Sequence, residues 1–514
     1  MNLEKIIQHL QKLTGPVIHV EGTLRPQELS ICGVSENSKY IQEKFLFAAL
    51  PGLSTDGRDY IEEAIQKGAH IILTTDDFNA DKLLNKYQNI VFIKTQNPRH
   101  VFSIFSAIFH GAQPQNIVAV TGTNGKTSTV RFTQQLWEKI GLKAASLGTL
   151  GLNAPTPVSA ESQQHPTLTT PEVTQLHHQL AGIKKTGVEY IAMEASSHGL
   201  SQYRLDGLHI KAAAFTNLSH DHLDYHGSFE NYFQAKRRLL SEVLSVDGTA
   251  VLNADSKYFL PLKETCEKRK IRVISFGFKG DDILIKKMTP HQDGISCTVS
   301  FFGKAHDFIF PLIGNFQLMN ALTAFALVYA SLDDPTKYED KLIDSLSSLK
   351  PIRGRLEKAG SLINEAQVFV DYAHTPEALE YALTALRAHC QGKLHLVFGC
   401  GGNRDHEKRP IMGKVAEKFA DKIIVTDDNP RFEDGQNIRK QILSACQKAL
   451  EIADRRQAIW QGLSRLEKDD FLLIAGKGHE PGQIIGDVTY PFDDVSEAKK
   501  AIKSIADAPI SYGE

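Results

Sequence analysis

The fold of this chain is decided by the stretch Ile117-Val118-Ala119-Val120-Thr121-Gly122-Thr123-Asn124-Gly125-Lys126-Thr127-Ser128. An apolar strand leads into a glycine-containing turn, and Lys-Thr then opens a helical pattern. Backbone N–H groups of such a turn bind phosphate oxygens, the lysine adds a point charge, and the threonine hydroxyl reaches magnesium. The full phosphate-loop pattern has another glycine where this chain has Val120, so the match is to the shorter form T-G-T-N-G-K-T. The stretch predicts a nucleoside triphosphate site, with a chance surface turn as the alternative.

Length, charge and cysteine content narrow the class of protein. The 514 residues exceed what one hydrophobic core holds, which predicts about three domains. Because 58 Lys and Arg balance 60 Asp and Glu, no global attraction to nucleic acid or to an anionic membrane is expected. No apolar run approaches the roughly 18 residues that span a bilayer, and the N-terminus has helical spacing, which excludes a signal peptide and an anchor. The six cysteines form no C-x-x-C pair, which favours reduced thiols in a cytoplasm over a zinc site or disulfides.

Changes of pattern along the chain predict an α/β protein of three domains. Residues 1–100 hold short strand and helix segments between Pro-Gly or Asp-Gly turns, which predicts a small N-terminal α/β domain. Between 101 and 350, apolar strands alternate with helical patterns around the phosphate loop, as in a central ATP-binding domain with a buried parallel sheet. After a linker at 351–355, strands at 394–398, 422–425 and 471–475 alternate with helices, which predicts a Rossmann-like, doubly wound domain up to residue 514.

Acidic and imidazole side chains follow two predicted strands of the central domain. Glu194 ends the strand at 190–193, where an acid resembles the one that holds magnesium beside a phosphate loop; a cap of the next helix is the alternative. The next strand leads into a loop with His220, His222 and His226. Such density is compatible with zinc, but no H-E-x-x-H helix or thiolate accompanies it. We therefore expect one histidine to help bind magnesium and the others to be structural.

Five motifs resemble those of one enzyme family: T-G-T-N-G-K-T, M-E-A-S-S-H-G-L, N-L-S-H-D-H-L-D-Y-H-G, D-Y-A-H-T-P-E and G-C-G-G-N-R-D. The family is the Mur ligases, which form amide bonds with ATP in peptidoglycan synthesis. The resemblance runs through all three predicted domains in the same order and at comparable spacing. It implies a cytoplasmic, monomeric ligase that uses ATP and Mg²⁺, binds neither nucleic acid nor membrane, and supports cell-wall growth, cell shape and division.

The resemblance assigns the nucleotide and metal sites residue by residue. It places Lys236 on the position that family members carbamylate with carbon dioxide, which turns an ammonium into an oxygen ligand for a hard cation. The sequence alone indicates a solvated helix residue there. The implied catalytic residues are Lys126, Lys236, Glu194 and His222, and the implied metal ligands are Thr127, Glu194, His222 and carbamylated Lys236. The implied ATP contacts are Gly122, Thr123, Asn124, Gly125, Lys126, Thr127, Ser128, Asn320, Arg355 and Asp371.

The resemblance also implies a site for UDP-N-acetylmuramoyl-L-alanyl-D-glutamate. In the first domain, Asn37-Ser38-Lys39 stands where the family has Asp-Ser-Arg, which supports Ser38 and puts its neighbours in doubt. The Thr-Thr-Pro turn of the central domain is otherwise an ordinary helix start. The implied contacts are Ser38, Thr169, Thr170, Ser196, Gln202 and Arg204.

Polar groups after successive strands of the third domain resemble the family's site for meso-diaminopimelate. That amino acid carries an ammonium and a carboxylate on its distal carbon, which arginines and Glu480 are able to pair. L-lysine lacks this carboxylate, so a site presenting Arg431 would leave a charge unpaired. The implied contacts are Arg404, Asp428, Asn429, Pro430, Arg431, Gly476 and Glu480.

The expected reaction joins meso-diaminopimelate to the D-glutamate γ-carboxylate through an acyl phosphate. One alternative is an L-lysine-adding ligase of the same family, and another is folylpolyglutamate synthetase, which does not account for the N-terminal nucleotide-sugar domain. A third alternative is a non-catalytic phosphate-loop switch. The residues implied for magnesium and for the amino acid argue against that reading.

Overall fold

The computed structural model describes residues 3–14, 18–22, 24–25, 29–52, 55–156 and 168–507. The chain divides into two compact units, one of residues 1–276 and 323–339 and the other of residues 277–322 and 340–514. Both units are built from helices and mixed sheets, which confirms the predicted α/β class. Within the described ranges, no helix has the length and apolarity needed to cross a membrane.

Helices and strands alternate along most of the described chain. The α-helices there are α1 (Leu3–Thr14), α2 (Ile61–Gln66), α3 (Asp81–Lys86), α4 (Pro98–His110), α5 (Lys126–Lys139), α6 (Val173–Lys185), α7 (Ser197–Ser201), α8 (Leu223–His226), α9 (Phe229–Arg238), α10 (Phe259–Lys268), α11 (Asn315–Ser331), α12 (Glu339–Leu346), α13 (Pro376–Arg387), α14 (Lys408–Phe419), α15 (Gly435–Leu443), α16 (Arg455–Leu463) and α17 (Asp494–Ala506). The strands are β1 (His19–Gly22), β2 (Gly33–Ser35), β3 (Phe45–Ala48), β4 (Ala69–Thr75), β5 (Val91–Thr95), β6 (Asn116–Thr121), β7 (Ala144–Gly148), β8 (Gly151–Asn153), β9 (Tyr190–Glu194), β10 (Ile210–Phe215), β11 (Leu244–Asn253), β12 (Arg272–Gly277), β13 (Ile283–His291), β14 (Gly294–Phe301), β15 (Lys304–Phe310), β16 (Glu357–Ser361), β17 (Gln367–Asp371), β18 (Leu394–Phe398), β19 (Lys422–Val425), β20 (Leu450–Glu451), β21 (Phe471–Ala475), β22 (Gly482–Ile485) and β23 (Val488–Pro491).

The first unit begins with a five-stranded sheet in the order β1-β5-β4-β3-β2. Strands β2 to β5 run parallel, and β1 pairs with β5 in the antiparallel direction. Apolar side chains of α1 and α4 cover one face of this sheet, and those of α2 lie in the cluster on the other face. Burial on both faces explains why β4 and β5 have nearly continuous apolar sequences.

The second sheet of the first unit has β6 near its middle, between β10 and β9. Strands β12, β11, β10, β6, β9 and β7 are parallel neighbours in that order, and β8 pairs with β7 in the antiparallel direction. Every residue of β6 is buried. Because parallel strands end at the same edge, this edge carries the phosphate loop, Glu194 and the histidine-containing loop together.

The second unit contains the predicted doubly wound sheet, in the order β16-β17-β21-β18-β19-β20. The strands β17, β21, β18, β19 and β20 are parallel neighbours in that order, and β16 is an antiparallel edge strand. Helices α13, α14 and α15 pack on one face, while α16 and α17 pack on the other. Strands β18, β19 and β21 have the bounds expected from the sequence.

The segment 283–310 departs from the expected alternation of parallel strands and helices. Here β13, β14 and β15 form an antiparallel meander. The turn between β14 and β15 places Phe302 and Gly303 at φ 47° and 91°, as a two-residue hairpin of the primed type requires. A parallel arrangement would need a crossover of a dozen residues, which these short connections do not supply.

Candidate active site

The loop between β6 and α5 is shaped by two glycines in unusual backbone conformations. Gly125 precedes the first turn of α5 at φ 84°. Gly122 has φ 141°, and a Cβ atom there would lie 1.9 Å from Thr216 Oγ1. Only glycine fits at such a position without displacing its neighbour. The loop therefore leads directly into the N-terminus of α5, and helix N-termini of this kind bind phosphate in many proteins.

Neighbouring side chains already hold the loop in this conformation. Lys126 Nζ donates to the carbonyl oxygens of Gly122 and Thr123, each at 2.8 Å. Asn217 Oδ1 accepts from the Asn124 N–H at 2.9 Å, and Thr216 Oγ1 donates to the Asn124 carbonyl at 2.6 Å. Thr127 and Ser128, which follow on α5, are buried. These hydrogen bonds fix the conformation of the predicted loop at the end of β6.

Lys236 of α9 is buried beside this loop, contrary to the solvated position that the sequence alone indicates. Its side chain is 1% exposed, and Nζ donates to the Gly122 carbonyl at 2.8 Å. The ammonium lies 4.6 Å from the ring centre of Tyr232, one turn earlier on the helix. Burial, followed by repulsion from Lys126, holds the pKa of Lys236 well below its ordinary value. Lys126 and Lys236 therefore converge on one carbonyl oxygen.

Glu194, at the end of β9, is buried and tied to the end of β7. Its Oε1 accepts from the Thr149 N–H at 2.8 Å, and Oε2 accepts from the Thr149 hydroxyl at 3.2 Å. A Cβ atom on Gly148 would lie 2.2 Å from Glu194 Oε1, so glycine leaves the space that this carboxylate occupies. Neither contact is that of an N-terminal helix cap, so the alternative reading of Glu194 as a cap is not supported.

The histidine-containing loop is an aromatic cluster. The ring of His198 lies 4.9 Å from that of His222 and 4.0 Å from that of Tyr225. His222 has φ 51° and a half-exposed side chain, whereas His226 is buried against Tyr232. Burial, with the nearby charges of His222 and His226, lowers the pKa of His198 to about 4. Of the three histidines of the loop, His220 and His222 are both exposed and only His226 is buried, so burial excludes His226 but does not choose between the other two.

The residues proposed by resemblance as metal ligands offer a mixed donor set. In the described part of the chain, no three His, Cys, Asp or Glu side chains form a cluster that could hold a metal ion. The predicted set contains only Glu194 and His222 from those residue types; its other members are Thr127 and carbamylated Lys236. Carboxylate, hydroxyl and carbamate oxygens suit the hard cation Mg²⁺. The burial of Lys236 favours its neutral amine, which is the form that reacts with carbon dioxide to give a carbamate.

Five of the residues implied for the muramoyl substrate form one hydrogen-bonded group next to Glu194. Thr170 Oγ1 donates to the Glu194 carbonyl at 2.9 Å and accepts from the Ser196 N–H at 3.0 Å. Arg204, also buried, donates to the Thr170 carbonyl at 2.6 Å and to Gln202 Oε1 at 2.6 Å. Thr169 reaches the same group through a 3.2 Å contact between its hydroxyl and that of Thr149. Burial lowers the pKa of the Arg204 guanidinium, and the nearby Glu172 carboxylate opposes this effect.

Ser38 lies apart from that group, in a short 3-10 helix that follows β2. It is buried, and its hydroxyl donates to Glu63 Oε2 at 3.4 Å. Its neighbour Glu36 accepts a short hydrogen bond from the Thr174 hydroxyl on α6. Burial raises the pKa of Glu36. This bond connects the loop after β2 to the helix that follows the Thr-Thr-Pro turn.

Asn320, Arg355 and Asp371 belong to the second unit. Asn320 is buried on α11, and the guanidinium of Arg355 lies 4.8 Å from the ring centre of Tyr372. Both oxygens of Asp371 accept backbone N–H groups, from Leu356 at 2.7 Å and from Ala373 at 2.8 Å. Burial raises the pKa of Asp371, and Arg355 counters part of that rise.

Arg404 and Arg431 lie along the same glycine at the carboxyl end of β18. A Cβ atom on Gly401 would lie 2.8 Å from Arg431 Nη1 and 3.9 Å from Arg404 Cγ. Arg431 has φ 54°, and its Nη1 donates to the Gly402 carbonyl at 2.8 Å. The Pro430 carbonyl closes over Gly402, where a Cβ atom would lie 1.8 Å from it. Both arginines therefore border Gly401, and their joint binding of one carboxylate stays a prediction.

The remaining residues implied for the amino acid form a hydrogen-bonded floor. Asn429 Nδ2 donates to Glu480 Oε2 at 2.8 Å, and Asn429 Oδ1 accepts from Lys477 Nζ at 3.0 Å. Asp428 is buried, and its Oδ2 would lie 2.4 Å from a Cβ atom on Gly476, which has φ 116°. Polar groups from the ends of β19 and β21 thus meet in one crevice.

Sequence reasoning missed three residues, Thr149 and Tyr232 in the first unit and Lys477 in the second. Thr149 holds Glu194, Tyr232 packs on Lys236 and also contacts Thr123 Oγ1 at 3.1 Å, and Lys477 joins Asn429 to Glu480. Thr149 directly follows a parallel strand and Tyr232 precedes Lys236 by one helical turn, so position could have indicated both. Lys477 lies between two glycines in the same crevice, and only its burial distinguishes it from a surface lysine.

Family models match the chain in three successive segments. The Mur ligase family catalytic domain matches residues 30–110, the Mur ligase middle domain matches residues 120–328, and the glutamate ligase domain of Mur ligases matches residues 354–478. The three matches follow the chain order of the predicted domains and together include most of the described residues.

Curated proteins match over nearly the whole chain. The UDP-N-acetylmuramoyl-L-alanyl-D-glutamate--2,6-diaminopimelate ligase of Zymomonas mobilis is 42% identical over 93% of this chain and 96% of its own length. The protein of the same name from Caulobacter vibrioides is 42% identical over 92% of this chain and 96% of its own length. A solved structure of a ligase with this name has 29% identity and a TM-score of 0.70, covering 96% of this chain and 99% of that one.

Proposed function

The chain belongs to the Mur ligase family, and from this premise we propose that it joins meso-diaminopimelate to UDP-N-acetylmuramoyl-L-alanyl-D-glutamate at the expense of ATP. The observation that carries the proposal is the 42% identity over 93% of the chain to a protein named for this reaction. The reaction belongs to peptidoglycan precursor synthesis. The free thiols of all six cysteines support a cytoplasmic site of action, since reducing compartments maintain thiols.

The chemistry must activate a carboxylate, whose own oxygen is a poor leaving group. A γ-carboxylate oxygen of the D-glutamate attacks the γ-phosphorus of ATP, an acyl phosphate forms and ADP leaves. The amine nitrogen of diaminopimelate then attacks the acyl carbon, loses a proton, and phosphate leaves as the amide forms. We expect Lys126 and the N-terminus of α5 to hold the phosphates in line for this transfer, so that the protein contributes positioning and charge neutralisation.

We propose that Thr127, Glu194, His222 and carbamylated Lys236 hold magnesium at the end of β6 and β9. Bound Mg²⁺ would neutralise the charge on the transferring phosphoryl group. The carbamate forms when Lys236 Nζ bonds to the carbon of CO₂ and releases a proton. This step needs the amine in its neutral form, which the burial of Lys236 beside Lys126 favours.

Glu194 provides a direct test of this proposed metal site through Gly148. We expect Gly148→Ala to lower turnover and raise the Mg²⁺ requirement by about tenfold, because the new methyl group would overlap the Glu194 carboxylate. Titration of activity with MgCl₂ measures the effect. Gly360→Ala is the matched control, since Gly360 has no left-handed φ and a Cβ atom there meets only the terminal carbons of the Ile502 side chain. An unchanged Mg²⁺ requirement in Gly148→Ala would remove Glu194 from the metal site.

We further propose that the muramoyl substrate contacts Ser38, Thr169, Thr170, Ser196, Gln202 and Arg204. We also propose that residues 1–100 bind this substrate, that residues 101–350 bind ATP and that residues 351–514 bind the amino acid. The bonds among Thr170, Ser196 and Arg204 support a common substrate surface. The remaining ATP contacts, Asn320, Arg355 and Asp371, are proposed from resemblance alone. So is the monomeric state.

Phosphate release separates the proposed function from its alternatives. The purified chain is given ATP, Mg²⁺ and the UDP-muramoyl dipeptide, with diaminopimelate, L-lysine or no amine. We expect release with diaminopimelate only. Release with L-lysine but not with diaminopimelate would establish the lysine-adding ligase instead. If neither amine gave any phosphate release, the nucleotide switch would be favoured.

A further inference from the structure

Lys477 occupies the floor of the crevice that also contains Asn429 and Glu480. Its side chain is fully buried, and Nζ lies 3.0 Å from Asn429 Oδ1 and 3.2 Å from Glu480 Oε2. The Ile484 N–H also donates to Asn429 Oδ1, at 2.9 Å. Two donors on Oδ1 oblige the Asn429 amide to turn its Nδ2 group toward Glu480. Lys477 and the Ile484 N–H therefore orient Asn429 together, and Lys477 also pairs with Glu480.

The same contacts leave one oxygen of Glu480 for a ligand. Oε2 receives hydrogen bonds from Asn429 and Lys477. Among the described residues, no donor reaches Oε1, and the Glu480 side chain is one-third exposed. The ammonium group of a ligand would therefore bind Glu480 Oε1, while Glu480 Oε2 remains paired with Lys477.

The balance of charge around the crevice is positive because of Lys477. Of the residues implied for the amino acid, together with Lys477, the cations are Arg404, Arg431 and Lys477 and the anions are Asp428 and Glu480. Arg355 lies over the ring of the neighbouring Tyr372, and the Asp371 carboxylate balances its charge. Arg455 lies nearby, but Asp494 neutralises it through two hydrogen bonds of 2.8 and 2.7 Å. Three positive side chains thus face two negative ones. Such a site favours a ligand end that carries a carboxylate over one that carries only an ammonium.

We propose that Lys477 is a specificity-determining residue, which selects an amino acid with a distal carboxylate and disfavours L-lysine. The proposal rests on the proposed function, since it concerns the amine substrate of that reaction. Lys477 acts in two ways: it aims Asn429 and Glu480 at the distal ammonium, and it supplies the surplus positive charge that requires the distal carboxylate. Arg431 alone would leave the crevice without that surplus.

The first test uses the unaltered protein and ligands that differ only at the distal carbon. L-lysine has the ammonium there and 2-aminopimelate has the carboxylate, while diaminopimelate has both. With surplus positive charge, we expect 2-aminopimelate to compete with diaminopimelate at about tenfold lower concentration than L-lysine does. Equal or stronger competition by L-lysine would overturn the proposal. A protein inactive with diaminopimelate would instead contradict the proposed function.

The second test replaces Lys477 by Met, which keeps the length of the side chain without its charge. We expect the ratio of the diaminopimelate KM to the L-lysine inhibition constant to rise about tenfold, while the ATP KM stays unchanged. A merely structural lysine would weaken binding of both amino acids equally and leave the ratio constant. Lys500→Met is the matched control, because Lys500 also pairs with a glutamate three residues away but is exposed. If Lys477→Met does not fold, Lys477→Gln, which keeps a hydrogen-bond donor without the charge, is measured in its place, and an unchanged ratio in that variant would equally overturn the proposal.

Discussion

Lys236→Ala is expected to lower kcat by about 100-fold or more, and added bicarbonate should not restore the rate. The physical reason is the loss of the nitrogen that the proposed carbamate needs, and with it one oxygen ligand of magnesium. The residue is 1% exposed and its Nζ donates to the Gly122 carbonyl, so the lost group lies beside the loop between β6 and α5. A surface lysine would have no such effect.

Two measurements separate this role from a loss of folding. With ¹³C-labelled bicarbonate, the unaltered protein should show a carbamate carbon signal that Lys236→Ala lacks. Lys236→Met, which preserves the packing on Tyr232, should be as inactive as the alanine variant while it unfolds at a similar temperature. Lys257→Ala is the matched control, because Lys257 also lies over a tyrosine ring but is exposed. An unchanged rate in Lys236→Ala would contradict the proposed role.

Arg431→Ala is expected to raise the diaminopimelate KM by about 100-fold and to leave the ATP KM near its original value. A guanidinium that pairs a carboxylate contributes a charge-assisted bond, which neither alanine nor, in bidentate geometry, lysine replaces. Arg431 lies beside Arg404 along Gly401, and Nη1 is the nitrogen held by the Gly402 carbonyl. The effect should therefore be specific to the substrate with the distal carboxylate.

Initial rates at varied diaminopimelate and varied ATP measure the two constants separately. Arg431→Lys should fall between the original protein and Arg431→Ala. Arg456→Ala, which removes an exposed arginine paired with Glu497, is the control and should change neither constant. If the ATP KM of Arg431→Ala rose as much as the diaminopimelate KM, Arg431 would not belong to the amino-acid site.

Local patterns were sufficient for the parts of the fold that depend on near neighbours in sequence. The strands at 394–398, 422–425 and 471–475 are mostly apolar because both faces of a parallel sheet are covered, and the structure has them with those bounds. The turn before α5 contains its glycines because a left-handed conformation requires them. The meander at 283–310 was missed although its first turn contains Asp293-Gly294, an Asp-Gly hairpin signal; only its second turn, at Phe302 and Gly303, lacks such a signal.

Burial and charge depend on residues that are distant along the chain, and here the tertiary structure was decisive. Lys236 has the sequence context of a solvated helix residue, yet α9 packs it onto a carbonyl more than a hundred residues earlier. Lys477 resembles any lysine between glycines until β19 brings Asn429 to its ammonium.

The sequence by itself determined the α/β class, the phosphate loop and the family, because these follow from short-range patterns of apolar spacing, glycine position and motif order. Only the tertiary structure decided which charged groups leave water and which partners they meet. The physical reason is that desolvation and Coulomb energy depend on distance in space, whereas a sequence pattern records distance along the chain.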